Sequence, residues 1–95
     1  GFQADGHVFA PGTAAEALLA DIHAEVLGQP LEPLCLTATS DTRFYDLYYG
    51  IPALCYGGNA RGMHAPSEAV ELASLATTTE VIARFVANWC GLKAA

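Results

Sequence analysis

Leu34-Cys35-Leu36-Thr37-Ala38-Thr39-Ser40-Asp41-Thr42-Arg43-Phe44-Tyr45-Asp46-Leu47-Tyr48-Tyr49-Gly50-Ile51-Pro52-Ala53-Leu54-Cys55-Tyr56 is the stretch on which the fold reading turns. Its two ends, residues 34–39 and 51–56, are short apolar runs of β-compatible residues, the composition of buried strands. Pro52 falls at the start of the second run, where a proline is tolerated. Between them Ser40 or Asp41 is placed to cap a short helical segment through Phe44, Tyr45, Leu47 and Tyr48, which Gly50 ends. Strands separated by helical crossovers pair in parallel, so parallel pairing is the expectation.

Upstream, Pro11-Gly12 breaks the chain, and Thr13 with Glu16 three residues on forms a capping box. Leu18, Leu19, Ile22 and Val26 then mark the apolar stripe of a helix over residues 14–27, stopped by Gly28 and kept from resuming by Pro30 and Pro33. Residues 2–9 alternate loosely around an Asp5-Gly6 turn signal and read as a short strand or hairpin remnant. Downstream, residues 57–62 are an irregular loop, residues 65–68 a turn, and Ser74 is the N-cap candidate of a last helix. Leu75, Thr78, Ile82, Phe85, Val86 and Trp89 mark that helix's buried face, and Gly91 ends it. The order helix, strand, short helix, strand, loop, helix is α/β, with few, mostly parallel strands flanked by helices. Two strands make a marginal sheet by themselves, so the sheet asks for more strands.

The 95 residues (9.9 kDa) allow one domain at most. Apolar residues make up 53% and charged residues only 15%, against about 25% charged in a typical soluble domain. So small a chain leaves much of itself at the surface, and this composition predicts apolar surface meant to be covered, by an oligomer partner or by the remainder of a larger protein. The net charge of −6 argues against nucleic acid and against anionic membranes as partners, since both are bound through Lys and Arg. No run approaches the ~18 apolar residues of a membrane span, and the start of the chain lacks the basic and apolar regions of a signal peptide. Cys35, Cys55 and Cys90 are odd in number, widely spaced and set among apolar neighbours. They read as buried reduced thiols rather than as a disulfide framework, a zinc ribbon or a thiolate nucleophile, which implies a cytoplasmic location.

Chemistry-bearing residues collect between Thr39 and Glu71: Asp41, Arg43, Asn59, Arg61, His64, Glu68 and Glu71 fall at predicted strand ends and loops, where ligands gather in open α/β sheets. His64 lies in a loop between Met63 and Ala65, off any periodic apolar face. It suits a metal or a proton-transfer role, though spacing by itself favours a plain exposed loop histidine. Glu68, four residues on, is either an acceptor that fixes the His64 ring or a first-turn carboxylate favoured by a helix dipole. Asp41 and Arg43 either pair across the turn or leave Arg43 to hold a substrate carboxylate bidentately. The Thr39 and Ser40 hydroxyls serve a ligand or cap a helix equally well. His23 reads as a helix-surface or packing residue, His7 has no partner in sequence, and Phe44, Tyr45, Tyr48 and Tyr49 read as helix packing. A catalytic zinc needs three protein ligands and an open position; this chain offers one convincing ligand.

Residues 39–45 (TSDTRFY), 49–57 (YGIPALCYG) and 64–72 (HAPSEAVEL), followed by a closing helix, resemble the acetylornithine deacetylase / succinyl-diaminopimelate desuccinylase family of zinc amidohydrolases, which includes aminoacylase- and carboxypeptidase-like enzymes. The order Ser-Asp-x-Arg-Phe, Gly-Ile-Pro, Tyr-Gly and His-x-x-x-Glu is similar over residues 37–91. The resemblance implies an incomplete half of a zinc-exopeptidase-like catalytic domain: residues 1–12 as a remnant of the lid-domain exit, and residues 13–95 as the C-terminal part of the catalytic domain. It implies His64 as the one metal ligand contributed here, Asn59, Arg43 and Thr39 as substrate contacts, and Glu68 and Asp41 as residues behind them. Gly58 stands where the family commonly has proline. The resemblance implies two zinc ions in the intact enzyme, whose His-x-Asp ligand, bridging carboxylate and Glu-Glu pair with the general base come from the family's N-terminal portion. The isolated chain is therefore expected to carry no catalytic residue, to bind zinc weakly or not at all, and to be inactive. Its expected partners are that missing portion, the lid, or further copies of itself. The alternative is a stand-alone dimeric interaction or regulatory module without catalysis.

Overall fold

The computed structural model describes residues 3–95. Thr13 starts the first helix as its composition predicts: its Oγ1 accepts the Glu16 N–H at 3.2 Å, while the Glu16 carboxylate reaches back to the Gly12 N–H at 2.6 Å. Helix α1 runs Ala14–Leu27 and ends on Gly28, whose N–H bonds Ala24 O at 2.9 Å. Helix α2 spans Thr42–Tyr49 and closes on Gly50. Its N-cap is Asp41, whose side chain makes no capping bond; the Ser40 hydroxyl instead accepts the Thr42 N–H at 3.4 Å. Helix α3 covers Leu72–Cys90 with Glu71 as N-cap, three residues earlier than the Ser74 cap expected. Ser74 lies inside the first turn, and its hydroxyl donates to Glu71 O at 2.7 Å.

The sheet differs from expectation. Residues 34–39 and 51–56 run without ladder hydrogen bonds and form no strand. The strands present are short: β1 (Ala60–Arg61) and β2 (Ala69–Val70) pair antiparallel, Ala60 opposite Val70 and Arg61 opposite Ala69. The parallel pairing expected is thus not found. A strand exists only with a neighbour to complete its ladder, and neither apolar run has one among the described residues. Residues 3–10 likewise form no strand; the part of that expectation falling on Gly1 and Phe2 lies outside the described residues.

The core sits between α1 and α3. Leu19, Ile22 and Val81 are its buried apolar members, with Leu18, Val26, Leu27, Leu31, Leu54, Tyr56 and Phe85 packed around them. The α1 stripe is as the spacing predicts. The face of α3 is not: Val81 is the fully buried residue, while Ile82, Val86 and Trp89 remain between 44% and 55% exposed. The α2 aromatics are exposed too, with Phe44 and Tyr48 stacked at 5.7 Å. All three cysteines are exposed rather than buried. The chain exposes 7621 Å², whereas a compact monomer of its mass exposes about 5,200 Å². Its radius of gyration is 15.1 Å, against about 12.4 Å for a compact 95-residue domain. The apolar surplus read from composition is therefore present as open surface. Part of it is a groove of about 310 Å³ lined by Leu19, Leu54, Tyr56, Ile82, Phe85 and Trp89.

His23 is buried, at 9% exposure, and its Nδ1 lies 2.8 Å from the Tyr56 hydroxyl. This bond ties the 51–56 segment to α1. Burial pushes the Tyr56 phenol above its ordinary value of 10.0. The folded state then holds that proton more tightly than the unfolded chain. The resulting stability is complete below the ordinary phenol value and is lost as pH rises through the raised folded one. Tyr56→Phe is expected to cost about 1 kcal/mol at neutral pH through the lost bond to His23, and to flatten the fall of the urea midpoint above about pH 10. An unchanged alkaline slope in the variant would exclude Tyr56 as its source.

Candidate functional site

The hairpin between β1 and β2 carries His64. The Ala65 N–H bonds Gly62 O at 2.8 Å and the Glu68 N–H bonds Ala65 O at 3.0 Å, which folds residues 62–68 into two successive tight turns. His64 sits in the first of these, exposed, with φ at 65°. This left-handed conformation is uncommon outside glycine, though His, Asn and Asp are enriched among the exceptions. The His64 ring has no hydrogen-bond or ion-pair partner among the described residues. Glu68 makes no side-chain bond to it and does not begin a helix; it leads into β2. Neither reading of Glu68 is thus realised in the described residues. The groove between α1 and α3 does not include His64.

At the root of the hairpin the geometry is tighter. Asn59 and Glu71 extend the β1–β2 register by one pair: the Glu71 N–H donates to Asn59 O at 2.9 Å. Asn59 Nδ2 donates to Glu71 Oε2 at 3.0 Å, and the Asn59 N–H donates to Ser74 Oγ at 2.8 Å. The amide nitrogen of Asn59 is thereby committed within the chain, and its Oδ1 remains available. Glu71 and Ser74 are contacts that the sequence reading did not assign. A Glu three residues before a Ser at a helix start is the signal that points to them, once the helix start is moved to residue 72.

Arg43 lies on the first turn of α2 with its guanidinium 4.7 Å from the centre of the Phe44 ring. It forms no ion pair with Asp41, nor with any carboxylate among the described residues. The stacking leaves its donors open to a planar anion. Thr39 is exposed just ahead of α2. His7 does have a partner: its Nε2 lies 3.2 Å from Asp46 Oδ2 on α2, at an angle that makes no hydrogen bond. The structure thus places Thr39, Asp41 and Arg43 around the start of α2 and Asn59, His64 and Glu68 on the hairpin. It shows no direct contact joining the two groups.

Among the described residues no group of three His, Cys, Asp or Glu side chains gathers in a geometry able to hold a metal ion. The residues present fit the part of a single donor and do not by themselves make a metal centre. No helix among them is long and apolar enough to cross a membrane.

Comparison with known families gives the class first: hydrolases of the metallopeptidase type, generally metal-dependent. The family model that matches is described as Peptidase family M20/M25/M40. It covers residues 3–88, and the chain belongs to that family. No curated protein matches the chain.

Proposed function

We propose that this chain is the C-terminal part of the catalytic domain of a metal-dependent amidohydrolase of the acetylornithine deacetylase / succinyl-diaminopimelate desuccinylase type, acting on an N-acyl amino acid or related amide. The observation that carries this reading is family membership over residues 3–88. The exposed imidazole with no internal partner and the open apolar surface support it. When bound, paired zinc ions supply a water of lowered pKa and a polarised carbonyl. This chain's own contribution is a set of binding groups. His64 offers one imidazole nitrogen from the hairpin. Arg43 offers a fork of donors for a substrate carboxylate. Thr39 offers a hydroxyl and Asn59 its free Oδ1. Glu68 and Asp41, four and two residues from His64 and Arg43 along the chain, are the carboxylates assigned to orient them. The remaining ligands and the general base come from the N-terminal portion, whose packing against α1, α3 and the 51–56 segment hides the groove. Three unpaired thiols accord with a reducing compartment, so we place the enzyme in the cytoplasm.

The test is an assay of the chain alone on N-acyl amino acids with added Zn²⁺ or Co²⁺. No turnover is expected. Turnover that disappears in His64→Asn, which keeps the left-handed turn, would show a complete site in this chain and overturn the reading. The reading frame upstream should also encode the missing His-x-Asp and Glu-Glu pairs. A stable dimer in light scattering, with no such upstream sequence, would instead favour the non-catalytic interaction module.

A further inference from the structure

We propose that Asn59, Glu71 and Ser74, with Gly58 beside them, are positioning residues: a closed knot of hydrogen bonds that fixes the His64 hairpin against the first turn of α3. The knot has four links among three residues. The Asn59 N–H donates to Ser74 Oγ at 2.8 Å, and the Ser74 hydroxyl donates to Glu71 O at 2.7 Å. The Glu71 N–H returns to Asn59 O at 2.9 Å, and Asn59 Nδ2 closes onto Glu71 Oε2 at 3.0 Å. Each link is exposed and weak singly. Together they leave the chain at residue 59 with its N–H, its carbonyl and its side-chain amide all engaged. Gly58 is part of the device because a Cβ there would lie 2.9 Å from Ser74 Oγ. A side chain at that position requires the serine hydroxyl to shift, which disturbs its bond to Asn59.

The need for such a device is legible in the hairpin. Two residue pairs of ladder are all that joins β1 to β2, and a two-stranded hairpin of that length does not hold itself in water. The knot adds a third pair in register and anchors it to a 19-residue helix. His64 stands five residues from Asn59 and seven from Glu71, so its place relative to α3 is set through this root. The bearing on a metal rests on His64 being the ligand proposed above; the bearing on hairpin order does not.

The two requirements separate in one set of isosteric variants of the full chain. Asn59→Asp sets two carboxylates against each other where a donor met an acceptor. Adding Glu71→Gln restores one hydrogen bond with its direction reversed. Amide exchange across residues 60–70, taken relative to α3 so that global stability cancels, is expected to rise about tenfold in Asn59→Asp. It should return toward the parent value in the double variant. The backbone order parameter at His64 should fall from about 0.85 toward 0.6 and recover with it. Unchanged exchange and order in Asn59→Asp, or a double variant no better than the single, overturns the knot. The exchange and order readouts need no metal, so they decide the knot by themselves. Metal retained by His64→Asn in the complete enzyme would count against the metal reading alone and leave the knot standing.

Discussion

Ile22→Ala is expected to remove the cooperative unfolding transition of the isolated chain. Burial of a large aliphatic residue is worth about 2–5 kcal/mol against alanine, part of it from the cavity left behind. A 95-residue domain of ordinary compactness has about 5–14 kcal/mol in hand. This chain is not of ordinary compactness. Its buried apolar core is Leu19, Ile22 and Val81, and Ile22 is the α1 residue among them that adjoins the buried His23. Around these three the helices meet through the half-buried Leu18, Val26, Leu27 and Phe85, and the ion pair between Arg84 and Glu25, at 3.9 Å and exposed on both sides, adds at most about 1 kcal/mol. Urea titration followed by helical circular dichroism checks this. The parent should show a sigmoidal transition and the variant a shallow drift. Trp89→Ala is the control: Trp89 is 55% exposed, so its loss should move the midpoint little while reducing self-association. A sharp transition at an unchanged midpoint in Ile22→Ala would mean that the core lies elsewhere.

The same contrast explains which features were legible in the sequence. Helices α1 and α2 could be read residue by residue because their signals are local: a Thr13–Glu16 capping box, an apolar stripe, and the left-handed stops at Gly28 and Gly50. Strands are not local. Residues 34–39 and 51–56 have strand composition, yet a strand is completed by a second segment, and none pairs with them among the described residues. The face of α3 departs from its spacing for a related reason. Ile82, Val86 and Trp89 form a stripe suited to a surface that α1 alone does not supply. The cysteines follow the same logic: apolar neighbours in sequence imply burial only where something covers them. Composition did carry the non-local fact in aggregate, since 53% apolar residues in so small a chain predicted uncovered surface. At the candidate site, the loop setting of His64 is readable from the sequence, and the structure holds it in an exposed turn. Its left-handed backbone belongs to the local turn closed between Gly62 and Ala65, which no residue there dictates, and the Asn59–Glu71–Ser74 knot depends on α3 beginning at Leu72 rather than after Ser74.

In the complete enzyme proposed above, His64→Asn is expected to lower both turnover and retained metal far more than Glu68→Gln does. Loss of a residue that only orients a ligand typically costs 10–100-fold, and loss of the ligand itself exceeds that. The choice of asparagine matters. His64 has φ at 65°, a conformation that costs most L-residues about 1–2 kcal/mol and that asparagine visits readily. Alanine would remove the imidazole and load strain into the hairpin together, so a loss of activity could come from either. Asparagine removes the imidazole and keeps the turn; glycine at the same position should hold or raise stability while lacking the ring. Thermal unfolding of the three variants therefore separates backbone from chemistry. Alanine should fall below asparagine and glycine in melting temperature, while all three lose metal and turnover alike. If His64→Asn keeps its metal and at least a tenth of its turnover, the imidazole is not a ligand, and the hairpin that carries it serves the fold or a partner instead.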